Sequence, residues 1–181
     1  MATTKHDRRA ASAVTVRSLP LVALLFAGGC SSHAAALPLS TDFDGHADGF
    51  EVSDGWVNGE QNGCGWRRQN ASIEDGTLTL RVDDRRSRGR DFSCGEYRST
   101  EHYGFGYYET RARVQPAEGT VTAFFTYTGE PFGDPHDEID FEWLGRDTTE
   151  VQVNYFVDGQ GRHERMIDLG FDAAEDFHVY G

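Results

Sequence analysis

From Asp137 to Leu144 acidic and bulky apolar residues alternate: Glu138, Asp140 and Glu142 interleave with Ile139, Phe141 and Trp143. Successive side chains of a β-strand point to opposite faces, so this period of two predicts a strand with three carboxylates on one face and an apolar row on the other. The apolar row has to pack into a core, while the acidic row stays accessible although its like charges repel one another. Such a face lowers stability with no structural return. It is understandable in a site that works with two carboxylates and a modulator between them, and glycoside hydrolysis is a chemistry of that kind. The competing readings are an acidic surface strand and an adventitious cation site.

The same period recurs along the chain. Leu78, Leu80 and Val82 alternate with Thr77, Thr79 and Arg81 after an Asp75-Gly76 turn. Tyr108, Thr110, Ala112 and Val114 alternate with Glu109, Arg111 and Arg113, and residues 151–157 set Val153, Tyr155 and Val157 against Gln152, Asn154 and Phe156. Residues 121–128 are β-branched and aromatic on both faces, which predicts a strand in the middle of a sheet. One short helix is expected over residues 172–177, with Asp172 as its N-cap. Many strands, frequent turns and almost no helix predict an all-β sandwich or barrel. The charged run over residues 81–90 reads as a solvated loop.

The 181 residues suffice for one domain with a sizeable core. A formal net charge of −13 argues against a nucleic-acid partner and gives no reason to expect an anionic membrane surface, whereas a neutral polymer is compatible with it. An acidic surface kept for solubility explains the charge equally well. Residues 1–36 read as an export signal and short linker, and residues 37–181 as the domain. Lys5, Arg8, Arg9 and Arg17 form a basic leader, and residues 19–27 are apolar but too short to span a bilayer. Two exits are open: Ala27-Gly28-Gly29-Cys30 resembles a lipobox that would acylate Cys30, and Ala34-Ala35-Ala36 offers ordinary cleavage. The protein is then secreted or lipid-anchored at the cell envelope, and the anchor would be its one link to a membrane. Removing Cys30 leaves Cys64 and Cys94, which can form a disulfide in an oxidising compartment or stay as two thiols in a reducing one. No CxxC or HExxH spacing supports a zinc site.

Glu138-Ile139-Asp140-Phe141-Glu142 resembles the E-x-D-x-E signature of glycoside hydrolase family 16, and its surroundings are similar to the bacterial lichenases, the endo-β-1,3-1,4-glucanases of that family. The supporting stretches, in family order, are 53–59 (Ser-Asp-Gly-Trp-Val-Asn-Gly), 94–100 (Cys-Gly-Glu-Tyr-Arg-Ser-Thr), 124–129, 144–149 and 168–174. The resemblance implies a concanavalin A-like β-jelly roll of two stacked antiparallel sheets, with a β-glucan bound along the concave one. It implies Glu138 as nucleophile, Glu142 as general acid/base and Asp140 between them, in a retaining double displacement. Laminarinase-like members insert one more residue, E-x-D-x-x-E, which bulges the strand. The unbulged spacing here is shared by lichenases and xyloglucan-active members and favours a mixed-linkage glucan.

Two residues four apart on a strand have Cα atoms about 13 Å apart, at roughly 3.3 Å per residue. Retaining chemistry needs carboxyl groups about 5–5.5 Å apart, and glutamate side chains leaning together can close most of the difference. By the family's positions Trp56, Asn58, Glu96, Arg98, Phe125, Tyr127, His136, Asn154 and Phe156 would contact sugar. Parity agrees, since Glu96 and Arg98, Phe125 and Tyr127, and Asn154 and Phe156 each share a face. The bland alternative makes Phe125 and Tyr127 core residues and Glu96–Arg98 a surface ion pair. Cys64 and Cys94 match the family disulfide. His136 stands where lichenases usually carry a tryptophan, and Phe156 where a tyrosine is usual. No cofactor is expected. A structural calcium of the full-length fold would find its site incomplete here.

The chain ends where the family enters another strand. That predicts a sandwich incomplete at its C-terminus, poorly folded or weakly active unless the remainder is restored. A monomer is expected. Other family 16 activities, on xyloglucan or β-1,3-glucan, and a non-catalytic glucan-binding sandwich are the competing functions.

Overall fold

The computed structural model describes residues 39–44 and 47–181, with the backbone of a further strand at Ser12–Val16. That strand is β1; the others are β2 (Phe50–Val52), β3 (Cys64–Trp66), β4 (Ala71–Glu74), β5 (Thr77–Asp83), β6 (Phe92–Cys94) and β7 (Tyr97–Ser99). They continue as β8 (Thr110–Arg113), β9 (Val121–Thr128), β10 (Asp137–Leu144), β11 (Glu150–Phe156), β12 (Arg165–Asp168) and β13 (His178–Tyr180). The only helical turns among the described residues are single 3₁₀ turns at Arg68–Asn70 and Glu130–Phe132. The all-β expectation holds.

One sheet runs β13-β8-β1-β5-β6-β3 with β4 also on β5, a second runs β12-β11-β10-β9, and β2 pairs with β7. All pairings are antiparallel except β3 with β6. The β4–β5 hairpin closes at Asp75-Gly76, both with positive φ (49° and 66°), as a two-residue primed turn requires. β1 falls within the stretch expected to be an export signal, and its backbone pairs with β5 on one side and β8 on the other. Cys30 and the rest of the leader lie outside the described residues.

The two larger sheets meet through one core cluster. Ala112, Val114 and Tyr180 come from the first sheet's side and Trp143 and Val151 from the second, with Ala173 added by the turn before β13. The Trp143 and Tyr180 rings meet edge-on at 4.4 Å, and Phe124, Phe141, Val153 and Leu169 pack around them. This is the apolar row expected of β10, with one correction. Ile139 shares that face but is 57% exposed, because the cluster covers the Phe141–Trp143 end of the strand and stops short of its start.

Three further expectations need correcting. β9 is an edge of its sheet, not a middle strand: Phe125 and Tyr127 on one side are 42% and 41% exposed, open to solvent and not core. The strand predicted from Tyr108 begins only at Thr110. The expected helix at 172–177 is a hydrogen-bonded turn. Asp172 does cap it, accepting from Ala174 N at 2.9 Å, but it also accepts from Thr148 Oγ1 at 2.5 Å, and Ala173 N donates to Thr148 O at 2.9 Å. Those tertiary bonds hold the turn to the core before a helix could propagate.

Candidate active site

β10 is paired along its whole length with β9 and along most of it with β11, so register fixes what surrounds each carboxylate. Glu138 lies opposite Tyr127 and Phe156, Asp140 opposite Phe125 and Asn154, and Glu142 opposite Ala123 and Gln152. Residues opposite one another on adjacent strands share a face. The structure therefore brings Glu138, Asp140, Glu142, Phe125, Tyr127, Asn154 and Phe156 onto one face, as parity implied. The pairing runs residue for residue from Asp137↔Thr128 to Leu144↔Val121, so the strand carries no bulge.

His136 completes this group just before β10 begins. Its Nε2 lies 2.6 Å from Glu138 Oε2, its ring stacks on Phe156 at 4.7 Å and 19°, and Tyr127 lies 5.3 Å away on a tilted plane. Its carbonyl accepts from Gly159 N at 2.8 Å, which ties the β10 entry to the turn after β11. Two participants were missed by the sequence reading. Gln152 donates through Nε2 to Glu142 Oε2 at 2.8 Å, and two-residue parity from Asn154 would have found it. The backbone N of His163 donates to Asn154 Oδ1 at 3.2 Å, a loop contact without a sequence signal.

The three acids differ in environment. Asp140 is buried between the glutamates, and its carboxyl is pushed up to about 7: burial acts most, the charges of Glu138 and Glu142 and a hydrogen bond with Glu138 add to it, and His136 opposes. Glu142 is also raised, first by burial and then by the charges of Glu138 and Glu164, against the Gln152 hydrogen bond that favours its anion. The face thus carries fewer negative charges near neutral pH than its three acids suggest.

Trp56, Asn58, Glu96 and Arg98 form a second group around β2 and β7. Arg98 donates from Nε and a terminal nitrogen to Glu51 Oε1, at 2.9 and 2.6 Å, and its guanidinium lies 5.6 Å over the Trp56 ring. Its hydrogen-bonded ion pair is thus with Glu51, not the Glu96 partner of the bland reading. Glu96 accepts from Ser53 Oγ, and burial raises its carboxyl in spite of that bond and the Arg98 charge. Trp66 Nε1 donates to Asn58 Oδ1 at 3.0 Å, while Arg90 donates to the carbonyls of Asn58, Gly59 and Glu60 at 2.9, 3.1 and 3.3 Å. Cys64 and Cys94 are joined in a disulfide that links β3 to β6, just ahead of Glu96. Among the described residues no three His, Cys, Asp or Glu converge as metal ligands.

The site is thus a pair of glutamates flanking a buried aspartate on an open face of a β-sandwich, bordered by aromatic and amide side chains. The chain belongs to the family described as glycosyl hydrolases family 16, whose sequence profile matches residues 58–181. Over 140 residues it is 46% identical to a β-glucanase of Bacillus subtilis (strain 168), covering 76% of this chain and 57% of that one. Over 159 residues it is 42% identical to a xylanase/β-glucanase of Ruminococcus flavefaciens, covering 84% of this chain and 20% of the relative. Among solved structures it resembles a prokaryotic β-1,3-1,4-glucanase (lichenase) from a mouse hindgut metagenome, with a TM-score of 0.73, 44% identity, and coverage of 76% of this chain and 65% of that one. The β-glucanase of Bacillus licheniformis superposes with a TM-score of 0.71 at 42% identity, covering 77% and 65%. The chain spans little more than half the length of the Bacillus subtilis relative.

Proposed function

We propose that the protein is an endo-acting glycoside hydrolase that cleaves mixed-linkage β-1,3-1,4-glucan with retention. The observation that carries this reading is the unbulged β10, with Glu138 and Glu142 on one face and Asp140 between them, raised in pKa. Retaining hydrolysis needs one ionised and one protonated carboxyl at the start of the cycle. With its carboxyl near 7, Asp140 can hold a proton and donate it toward Glu138, which leaves Glu138 as an anion able to attack the anomeric carbon. Glu142, whose carboxyl is raised by burial and by the Glu138 and Glu164 charges, is the acid that donates to the departing oxygen. Glycosylation then removes the Glu138 charge. The Glu142 pKa falls, and its carboxylate can deprotonate the water that releases the sugar.

Tyr127, Phe125 and Phe156 offer apolar faces for pyranose rings, and His136 orients Glu138 through the 2.6 Å contact while packing on Phe156. Trp56, Asn58, Glu96 and Arg98 supply a second set of sugar contacts. The mixed linkage rests on the unbulged spacing and on the lichenase likeness. The Cys64–Cys94 disulfide accords with export through the leader at residues 1–36, by ordinary cleavage or by acylation at Cys30. We take the protein to act as a monomer, with a β-glucan as its partner.

Reducing-sugar release from lichenan, laminarin and xyloglucan tests the substrate, with lichenan expected to lead; release from none of the three refutes a hydrolase. Glu138→Gln should lower lichenan turnover by at least about a thousandfold while leaving binding intact. Undiminished turnover would sink the nucleophile assignment.

A further inference from the structure

The charged run is an exposed loop beyond the end of β5, and it also borders a cavity of about 470 Å³, built from the end of β3, the following 3₁₀ turn, the β5–β6 loop and β6. Arg67, Arg85, Arg86 and Arg88 line it together with Gln69, Asn70, Ser87 and Ser93. None of these residues belongs to the site described above, and none is acidic. In a chain of net charge −13, four cations gathered around one cavity repel each other where pairing with the abundant carboxylates would be easy. The pairing is slight. Arg67 Nε lies 3.9 Å from Asp54, and Arg86 Nε lies 3.6 Å from Asp91 with both side chains 79% exposed. Arg85 and Arg88 have no carboxylate within ion-pair distance among the described residues.

A second observation points the same way. The hydroxyls of Ser87 and Ser93 are buried, with residues 9% and 1% exposed, yet neither Oγ has a hydrogen-bond partner. Buried hydroxyls are normally satisfied; these two lie in the wall of one arginine-lined cavity with no partner from the chain, sealed from solvent, and a small yielding of that wall is what would bring them to a ligand. Asn70 is not available for that purpose, because its Nδ2 is engaged by Arg81 O, Asp83 Oδ2 and Ser93 O. The frame is fixed beforehand: Ser87 and Arg90 exchange backbone hydrogen bonds at 3.0 and 2.9 Å around Arg88 and Gly89, both at positive φ (51° and 83°). The turn seats Ser87 against Gly65, where a Cβ would strike Ser87 Oγ at 2.7 Å.

We propose that this cavity binds a phosphate monoester. Guanidinium forks match the paired oxygens of a phosphoryl group, and the ester's charge near −2 at neutral pH suits several arginines at once. The two sealed hydroxyls become further donors where the wall yields to the ligand. A polar lining excludes an apolar ligand. A volume inside the range of about 300–1,000 Å³ usual for small-molecule sites exceeds what a bare oxyanion needs, so the group is carried on something the size of a sugar.

Calorimetric titration of the purified protein with glucose 6-phosphate, inorganic phosphate and chloride at equal ionic strength tests this. Glucose 6-phosphate is expected to bind, inorganic phosphate more weakly, and chloride not at all. Arg85→Gln combined with Arg88→Gln should weaken the ester by about tenfold or more. Ser87→Ala, which leaves every charge in place, should weaken it severalfold. Heat no different from chloride, or equal affinity in both variants, overturns the site. An ester that binds no better than inorganic phosphate overturns the larger ligand. Lichenan hydrolysis on the same preparations should be unchanged by either variant, so failure of the glucanase reading and failure of this one are distinguishable.

Discussion

At Asp140 burial and two neighbouring glutamates push the same way, and the consequence is a proton held where free aspartate would have lost it. Its carboxyl titrates near 7 in the folded protein against 3.8 ordinarily. Between those values the folded state binds more protons than the unfolded chain, so stability is highest below about pH 4 on this account and is lost as pH rises through 7. Asp140→Asn should flatten that slope, making the variant gain on the wild type between about pH 5 and about pH 8 in denaturant midpoints. A slope equal to that of the wild type would contradict the assignment. The three acids were legible as one face from alternation alone, whereas Phe125, Tyr127, Asn154 and Phe156 were placed by the family likeness, with parity in agreement because one face of a strand and its neighbours share it. The Arg98–Glu51 pair was not, since it joins residues 47 apart in sequence across β2 and β7.

At the level of elements, the β4–β5 hairpin and β10 could be read because their patterns are local. The edge position of β9 could not. A strand apolar on both faces looks the same whether it has one neighbour or two, and only the pairing of the whole sheet decides. The 172–177 segment failed as a helix for a related reason: its cap was correctly seen, but distant Thr148 engages the same aspartate. Where β10 ends, Gly145 is another feature only the packing explains. Its N donates to Thr120 O at 2.9 Å, and a Cβ there would collide with Ala117 O and come within 2.5 Å of Thr120 Oγ1. Gly145→Ala should therefore cost about 1–3 kcal/mol, seen as a lower urea midpoint at unchanged m-value. A neutral substitution would mean that the turn after β10 is looser than its hydrogen bonds indicate.

For the molecule as a whole, the disulfide spans 30 residues and ties β3 to β6 at the side of the first sheet nearest Glu96. Closing a loop of that length is worth about 3–4 kcal/mol in the chain-entropy account, so replacing Cys64 and Cys94 by serine should lower unfolding free energy by about that amount. An unchanged midpoint would show that the unfolded chain is already confined there. The three carbonyls held by Arg90 have a different consequence. Asn58, Gly59 and Glu60 are fastened when the protein folds, so on the proposed function the segment bearing Trp56 and Asn58 would meet a glucan already in shape and its ordering would be no part of the binding event. Arg90→Ala would move that ordering from folding to association. Calorimetry on lichenan oligosaccharides would then record a weaker interaction whose loss lies in entropy more than in heat, the signature of a recognition loop that has become a folding problem for its ligand.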